Sequence, residues 1–165
     1  MCASAASNLG LTVSATTRAP RKGEVDGVNY FFLTREEFDR RVANGEFVEW
    51  AEVHGNCYGT LVSEVTSKLA SGSSLILEID VQGALQVKER FPEAVLIFIK
   101  PPSLEVLRER LVGRGTETPE TIELRMANAA DELALADRYD DVVVNDDLDR
   151  ATDELVRVLD MHERI

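Results

Sequence analysis

Two arginines near the beginning of the chain lie in a segment whose composition suits phosphate binding. Arg18 and Arg21 belong to the stretch TTRAPR, in which hydroxyl and guanidinium groups stand together without the periodicity of a helix face. A guanidinium forms bidentate hydrogen bonds to phosphate oxygens and keeps its charge in any plausible site. The segment therefore predicts a local anion-binding site.

A second group of arginines lies within the stretch RERLVGRGTETPETIELR. Its members are Arg108, Arg110, Arg114 and Arg125. Such a run is usually a solvated helix face that pairs with neighbouring glutamates, so composition alone leaves that interpretation open beside phosphate binding. The middle of the stretch, GRGTETP, is expected to form a loop.

Three compact apolar runs indicate the strands that must position these groups. They are LILEID (75–80), AVLIFIK (94–100) and DVVVND (141–146), and segments of helical period separate them. Continuous apolar runs between helices are typical of parallel strands buried on both faces. Before residue 71, short β-favouring pieces such as VNYFFL alternate with turn-rich stretches, which predicts a small mixed α+β unit.

Polar side chains end two of these runs, at the edge where open parallel sheets bind ligands. Glu78 and Asp80 end the first run, and Asn145 and Asp146 end the last. We expect a functional role for Asp80, because a carboxylate after aliphatic residues is costly unless it meets a partner, a metal or solvent in a cleft. For Asp146 and the aspartates at 147 and 149, helix capping is the preferred interpretation.

Capping residues predict where several helices begin. Thr34 with Glu37 three residues later predicts a helix containing Phe38. Ser103 is a candidate N-cap, Thr118 followed by proline opens a long helix, and an acidic helix is expected over 149–165.

Composition limits the class of protein. The 165 residues carry a formal net charge of −12, which disfavours general nucleic-acid or membrane-surface binding because both need a basic field. Cys2 and Cys57 are too few for a disulfide framework and lack metal-ligand spacing, so free thiols in a reducing compartment are expected. With no sustained apolar run of eighteen residues, we expect a cytoplasmic protein.

Five motifs, in order and spacing, resemble the guanylate kinase family. They are SATTRAPRKGEVDGVNYFF, GEFVEWAEVHGNCYGT, LEIDVQGA, FIKPPSLEVLRERLVGRGTET and VVVNDD. The resemblance implies an α/β fold: a P-loop nucleoside monophosphate kinase-like three-layer parallel sheet with a small mixed α+β GMP-binding domain and an arginine-rich lid. It divides the chain into an N-terminal remnant (1–12), the GMP-binding domain (13–70), core (71–106), lid (107–130) and core (131–165).

The resemblance also implies roles for particular residues in phosphoryl transfer from ATP to GMP. It places Ser14, Arg18, Arg21, Tyr30, Glu49, Tyr58, Thr60, Glu78 and Asp80 at GMP. It makes Arg110, Arg114 and Arg125 the lid arginines that gather charge on the transferring group, and places Arg110, Arg114 and Asn145 at ATP. Mg²⁺ is expected with ATP, with no metal site formed by the protein alone. Taken singly, the tyrosines are better explained by ordinary packing and Thr60 by a turn hydroxyl, but their joint spacing favours the roles at GMP.

One family element has no counterpart in the sequence. The family begins with a strand, a G-x-x-x-x-G-K-[ST] phosphate loop and a helix, whereas only MCASAASNLG precedes the match. We therefore expect a chain shortened at its front, with a helix tail near residues 6–10 and a sheet lacking its first strand. The alternatives are a catalytically inactive protein-interaction module and a GMP-binding protein without ATP. A protein partner or the N-terminal ten residues could supply the missing strand, and without either we expect a fragile or aggregation-prone product.

Overall fold

A computed structural model describes residues 9–113 and 118–162. The described chain forms two compact units, an N-terminal unit (Ser7–Ala94) and a C-terminal unit that begins at Val95. Division of the chain at residues 12, 70, 106 and 130 stays a prediction. The described elements are, in order, β1 (Leu9–Leu11), β2 (Ala15–Thr16), β3 (Phe31–Phe32), α1 (Arg35–Ala43), β4 (Phe47–Val53), β5 (Asn56–Leu61), α2 (Val62–Leu69), β6 (Ser74–Ile76), α3 (Val81–Arg90), β7 (Ile97–Lys100), α4 (Leu104–Gly113), α5 (Pro119–Leu133), a 3₁₀ turn (Ala136–Arg138), β8 (Asp141–Val144) and α6 (Leu148–His162).

A four-stranded mixed sheet in the order β3-β2-β5-β4 dominates the N-terminal unit. Strands β4 and β5 form an antiparallel hairpin whose turn residues, His54 and Gly55, both have positive φ (51° and 80°). Two positive φ values are what a type I′ turn needs, and its twist matches that of the flanking strands. The hairpin thereby fixes the register of β4 against β5.

Helix α1 packs the core of this unit. The ring of Phe38 stacks on Phe47 with centroids 4.5 Å apart, and Phe38 and Cys57 are fully buried. Thr34 caps α1 by accepting from the N–H of Glu37 at 3.1 Å, which confirms the predicted helix start. The Glu37 side chain instead accepts from Arg41, so only half of the expected capping box forms.

The first apolar run is shorter as a strand than predicted, and its partner comes from the N-terminal residues, one of the two alternatives for the missing strand. Strand β6 ends at Ile76, where 75–80 was expected, because its partner β1 ends at Leu11 and Thr12 N closes the ladder on Ile76 O at 3.1 Å. Residues 9–11 form a parallel strand beside β6, so the expectation of a helix tail is wrong for them. Residues 1–8 lie outside the described residues.

The C-terminal unit contains the parallel pair β7 and β8, which confirms the predicted pairing type. These strands are also shorter than 94–100 and 141–146. Strand β7 begins only at Ile97, because the N–H of the preceding residue, Leu96, donates to the Asp140 side chain at 2.8 Å and is not available to the strand ladder. At the end, prolines follow Lys100 and have no N–H to extend the ladder.

The predicted caps at Ser103, Thr118 and Asp147 are confirmed, but Asp149 lies within α6 and the Asp146 carboxylate accepts from the Arg150 side chain instead of capping the helix. Ser103 Oγ accepts from the N–H of Val106 at 3.2 Å, and Thr118 Oγ1 accepts from Thr121 at 3.3 Å. Asp147 accepts from the N–H of Arg150 at 3.0 Å and caps α6, which packs Ala151 and Val158 against β8. In the part of the chain that the structure describes, no helix is long and apolar enough to cross a membrane.

Candidate functional site

A buried carboxylate lies at the centre of the N-terminal unit. Glu49 on β4 faces Thr60 on β5, next to an irregularity in register between Phe47 and Glu49. Glu49 is 3% exposed and Thr60 is fully buried, and the Thr60 hydroxyl donates to Oε1 of Glu49 at 2.7 Å. The strand pairing thus brings together two residues that the sequence separates by eleven positions.

The environment of Glu49 opposes its ionisation. Burial is the largest influence and raises the pKa of the Glu49 carboxyl, and the negative charge of Asp80 raises it further. The hydrogen bond from Thr60 acts in the opposite direction and favours the carboxylate. A ligand that presents N–H donors to this carboxylate would favour its ionised form in the same way.

The predicted site residue Asp80 lies next to Glu49, but it has a structural role as well. Its Oδ1 accepts from the N–H of Gly83 at 3.0 Å and caps α3. Glu49 also abuts this turn, since a Cβ built on Gly83 would lie 2.3 Å from Glu49 Oε2 and 3.3 Å from Asp80 Oδ1. Glu78 is exposed, and no hydrogen bond or ion pair joins it to this pair within the described residues.

The predicted phosphate clamp is partly assembled around Arg18. Its guanidinium lies 5.2 Å from the ring centroid of Tyr30, and the rings of Tyr30 and Tyr58 meet edge to face at 6.2 Å. The side chain of Arg18 is only 15% exposed and its Nη2 bonds to Glu24 at 2.9 Å. That hydrogen bond is the main reason that the pKa of Arg18 is raised.

Sequence reasoning missed Glu24, which links both predicted arginines. Its carboxylate accepts from the Arg18 guanidinium at 2.9 Å and from the backbone N–H of Arg21 at 2.7 Å. These bonds, the one from Arg18 first, lower the pKa of Glu24. The turn is therefore built around a negative charge, whereas the Arg21 side chain is exposed and Ser14 is half-buried.

The C-terminal unit holds the remaining predicted residues. Arg110 on α4 is exposed and donates to the backbone oxygen of Asp146 at 3.3 Å, and Arg125 on α5 is half-buried. Arg108 pairs with Glu123 at 2.6 Å, which favours the helix-face interpretation for that arginine. Asn145 directly follows β8, and its N–H donates to Lys100 O at 2.8 Å. Arg114 lies outside the described residues.

Helix α3 contributes two further residues that the sequence did not reveal. Gln86 forms two hydrogen bonds with the backbone of Trp50, accepting from N at 3.2 Å and donating to O at 2.7 Å. Arg90 donates to Phe47 O at 3.0 Å and to Val48 O at 2.6 Å. The stretch VQGALQVKER belongs to the segments of helical period predicted between the apolar runs, but nothing in it assigned a role to Gln86 or Arg90.

The described part of the chain contains no cluster of side chains suited to bind a metal ion by itself. Over 9–113 and 118–162, no group of three or more histidine, cysteine, aspartate or glutamate side chains is placed to hold an ion.

Comparisons with known proteins agree with one another. The protein-family model described as Guanylate kinase matches residues 2–162. A guanylate kinase of Halalkalibacterium halodurans is 55% identical over 152 residues, which cover 92% of this chain and 74% of the relative. One of Gloeobacter violaceus is 57% identical over 151 residues, with the same two coverages.

A solved structure supports the predicted fold class. The crystal structure of guanylate kinase from Anaplasma phagocytophilum matches with a TM-score of 0.79 and 40% identity, covering 94% of this chain and 76% of that one. Together with the parallel pairs β1-β6 and β7-β8, this confirms a nucleoside monophosphate kinase-like α/β fold. The chain belongs to the guanylate kinase family.

Proposed function

We propose that this chain transfers a phosphoryl group from ATP to GMP, giving ADP and GDP, and that its N-terminal unit binds GMP. The observation that carries the proposal is the buried carboxylate of Glu49. One of its oxygens is held by Thr60, and the pairing of β4 with β5 fixes its position.

The carboxylate suits guanine. Guanine presents two adjacent donors, its N1–H and its exocyclic amine, and a carboxylate accepts from both at once. Adenine has an acceptor at N1 and cannot form this pair of bonds. While Thr60 donates to Glu49, Ser14 is the hydroxyl that would donate to guanine O6.

The aromatic and cationic groups around Arg18 suit the GMP phosphate. Arg18 and Arg21 supply positive charge, and Tyr30 and Tyr58 supply phenolic donors. Glu24 fixes the orientation of the Arg18 guanidinium through Nη2, and the phosphate dianion would bind N–H donors of Arg18 that Glu24 does not occupy.

The C-terminal unit would serve the transfer step. Arg110, Arg114 and Arg125 would gather the charge of the transferring phosphoryl group, and Asn145 would lie near the ATP base. This chemistry is mainly positioning and electrostatic stabilisation.

Magnesium would accompany ATP rather than occupy a site made by protein alone. In kinase sites the ion is bound by one or two carboxylates together with phosphate oxygens and water, and Asp80 and Glu78 offer such carboxylates. The ion supplies charge neutralisation on the phosphates. The cytoplasm is the compartment in which we expect this reaction.

The test uses the full chain and two readouts. GMP and AMP are titrated by calorimetry, and ADP formation is then followed with GMP, ATP and Mg²⁺, with AMP as the control acceptor. We expect GMP-selective binding and GMP-dependent ADP formation. Folded protein that binds neither nucleotide would contradict the proposal, as would equal binding of GMP and AMP. GMP binding without turnover would contradict the transferase part alone.

A further inference from the structure

Both peptide groups that flank Glu49 are held by one helix. Gln86 bonds to both backbone atoms of Trp50, the residue after Glu49, and Arg90 bonds to the carbonyl of Val48, the residue before it. Strand β4 is the last strand on one side of its sheet, so these side chains satisfy backbone groups that no strand of that sheet reaches.

A third residue of the same helix meets the Glu49 side chain itself. Gly83 leaves room for Oε2, because any Cβ at this position would lie 2.3 Å from that oxygen and 3.0 Å from Cδ of Glu49. Residues 83, 86 and 90 have the spacing i, i+3, i+7, which places them on one face of a helix. One face of α3 therefore fixes the backbone of Glu49 and sets the space available to its carboxylate.

We propose that Gly83, Gln86 and Arg90 are positioning residues that set the discrimination between guanine and hypoxanthine. The proposal rests on the role of Glu49 in GMP binding given above. Hypoxanthine keeps N1–H and O6 but lacks the exocyclic amine, so only guanine uses both carboxylate oxygens. If the Glu49 carboxylate is displaced, the hydrogen bond from the exocyclic amine is lost before the one from N1–H. The reason is that two simultaneous bonds require both carboxylate oxygens to be correctly placed.

Oε2 is the oxygen of Glu49 that a larger side chain at residue 83 would displace. Oε1 is tied to Thr60, whereas Oε2 faces Gly83. A methyl group at residue 83 would push Oε2 away while Thr60 still holds Oε1. The expected result is a carboxylate that accepts one guanine donor and misses the other.

The test compares GMP with inosine monophosphate (IMP) in the full chain and three variants. Gly83→Ala adds the methyl group, and Gln86→Met removes both bonds to Trp50. Gln82→Met is the matched control, since Gln82 is an exposed residue of the same helix turn. Dissociation constants are measured by calorimetry, and folding is checked by circular dichroism.

We expect the GMP preference over IMP to fall about 10- to 100-fold in Gly83→Ala, the value of one hydrogen bond to a charged group. In Gln86→Met we expect a fall of about 3- to 10-fold, since only the backbone support changes. IMP affinity should stay within about threefold in both, because its single N1–H bond survives. Gln82→Met should keep the preference of the unmodified chain.

The outcomes separate the two proposals. A preference for GMP that persists in both folded variants would overturn this inference alone, and a loss of stability without a change in preference would do the same. If Gly83→Ala does not fold, Gln86→Met decides the question. An unmodified chain that does not prefer GMP would overturn the proposed role of Glu49 and this inference with it.

Discussion

The two units of the chain hold their charged groups in different ways. In the N-terminal unit, Glu49 is 3% exposed and bonded to Thr60, and the Arg18 side chain is 15% exposed and bonded to Glu24. In the C-terminal unit, Arg110 is exposed and has a long bond to a backbone oxygen. Glu49 and Arg18 are thus positioned by their own unit, whereas Arg110 is exposed to solvent. Arg21, which is exposed, and Arg125, which is half-buried, depart from this contrast.

This contrast corresponds to two kinds of work. A group fixed before the ligand arrives contributes to selective binding, because little ordering remains to be done. A cation that meets charge developing during the reaction affects turnover rather than affinity, because its interaction is stronger in the transition state than in the ground state. The contrast therefore separates variants into those that change GMP binding and those that change the rate.

The largest effect is expected from Arg110→Ala. We expect kcat to fall about 10²- to 10³-fold, the usual cost of losing one group that stabilises charge in the transition state. GMP affinity should change by less than about twofold, because no group that we assign to GMP lies in this unit. Stopped-time assays of ADP formation and calorimetry measure the two quantities.

Arg157→Ala is the matched control for Arg110→Ala, since Arg157 is an exposed arginine on α6 of the same unit. It should leave both quantities unchanged. A large loss of GMP affinity in Arg110→Ala would contradict the assignment of GMP binding to the N-terminal unit and of turnover to the C-terminal unit.

The next effect is expected from Glu49→Gln. An amide nitrogen would face a guanine N–H donor, so one hydrogen bond to a charged group is lost and two donors are opposed. We expect GMP to bind about 100-fold more weakly, with AMP affinity unchanged. Calorimetry with both nucleotides checks this, and Glu52→Gln, on the same strand but exposed, is the control. Equal GMP affinity in Glu49→Gln would remove Glu49 from the site.

A smaller effect is expected from Thr60→Val, which keeps the side-chain shape and removes the hydroxyl. Glu49 would lose the bond that fixes Oε1, and we expect about a tenfold loss of GMP affinity. Thr12→Val is the control, because Thr12 is also a buried threonine of this unit. If both variants weaken GMP equally, the loss reflects general packing rather than the orientation of Glu49.

Much of the fold could be predicted because it depends on local signals. The caps at Thr34, Ser103 and Thr118 were legible from one hydroxyl at the right spacing, and all three form. Strand ends were less predictable, since they depend on where the partner strand stops. The end of β6 at Ile76 follows from the length of β1, which no property of the run LILEID encodes.

Glu49 and Thr60 entered the candidate site only through the resemblance to a family, whereas Arg18, Arg21 and Asp80 were also indicated by their sequence context. Glu49 in FVEW has no local feature that indicates burial, and its partner Thr60 becomes a neighbour only through the hairpin. Gly83, Gln86 and Arg90 were missed because their partners are backbone atoms of a distant strand. Sequence patterns indicate which face of a helix is apolar, but they do not indicate which carbonyl a glutamine will reach.

The smallest expected effect concerns the pH dependence of stability, and its sign follows from the burial of Glu49. Burial raises the pKa of this carboxyl, so folding favours the protonated form. The stability that the protonated Glu49 carboxyl gives to the folded state is complete below the ordinary glutamate pKa of about 4.3. This stability is lost as pH rises through the raised pKa. Glutamine never ionises. The free energy of unfolding of Glu49→Gln should therefore increase relative to that of the unmodified chain as pH rises through this window.

Urea unfolding at a series of pH values measures this difference, whose slope for one proton cannot exceed about 1.4 kcal/mol per pH unit. Glu52→Gln should show no such rise, because that residue is exposed. Saturating GMP should flatten the slope, since the guanine donors stabilise the carboxylate and lower its pKa. AMP should leave the slope in place. A difference that falls with pH would mean that Glu49 is more stable ionised in the free protein, and that its burial does not set its charge.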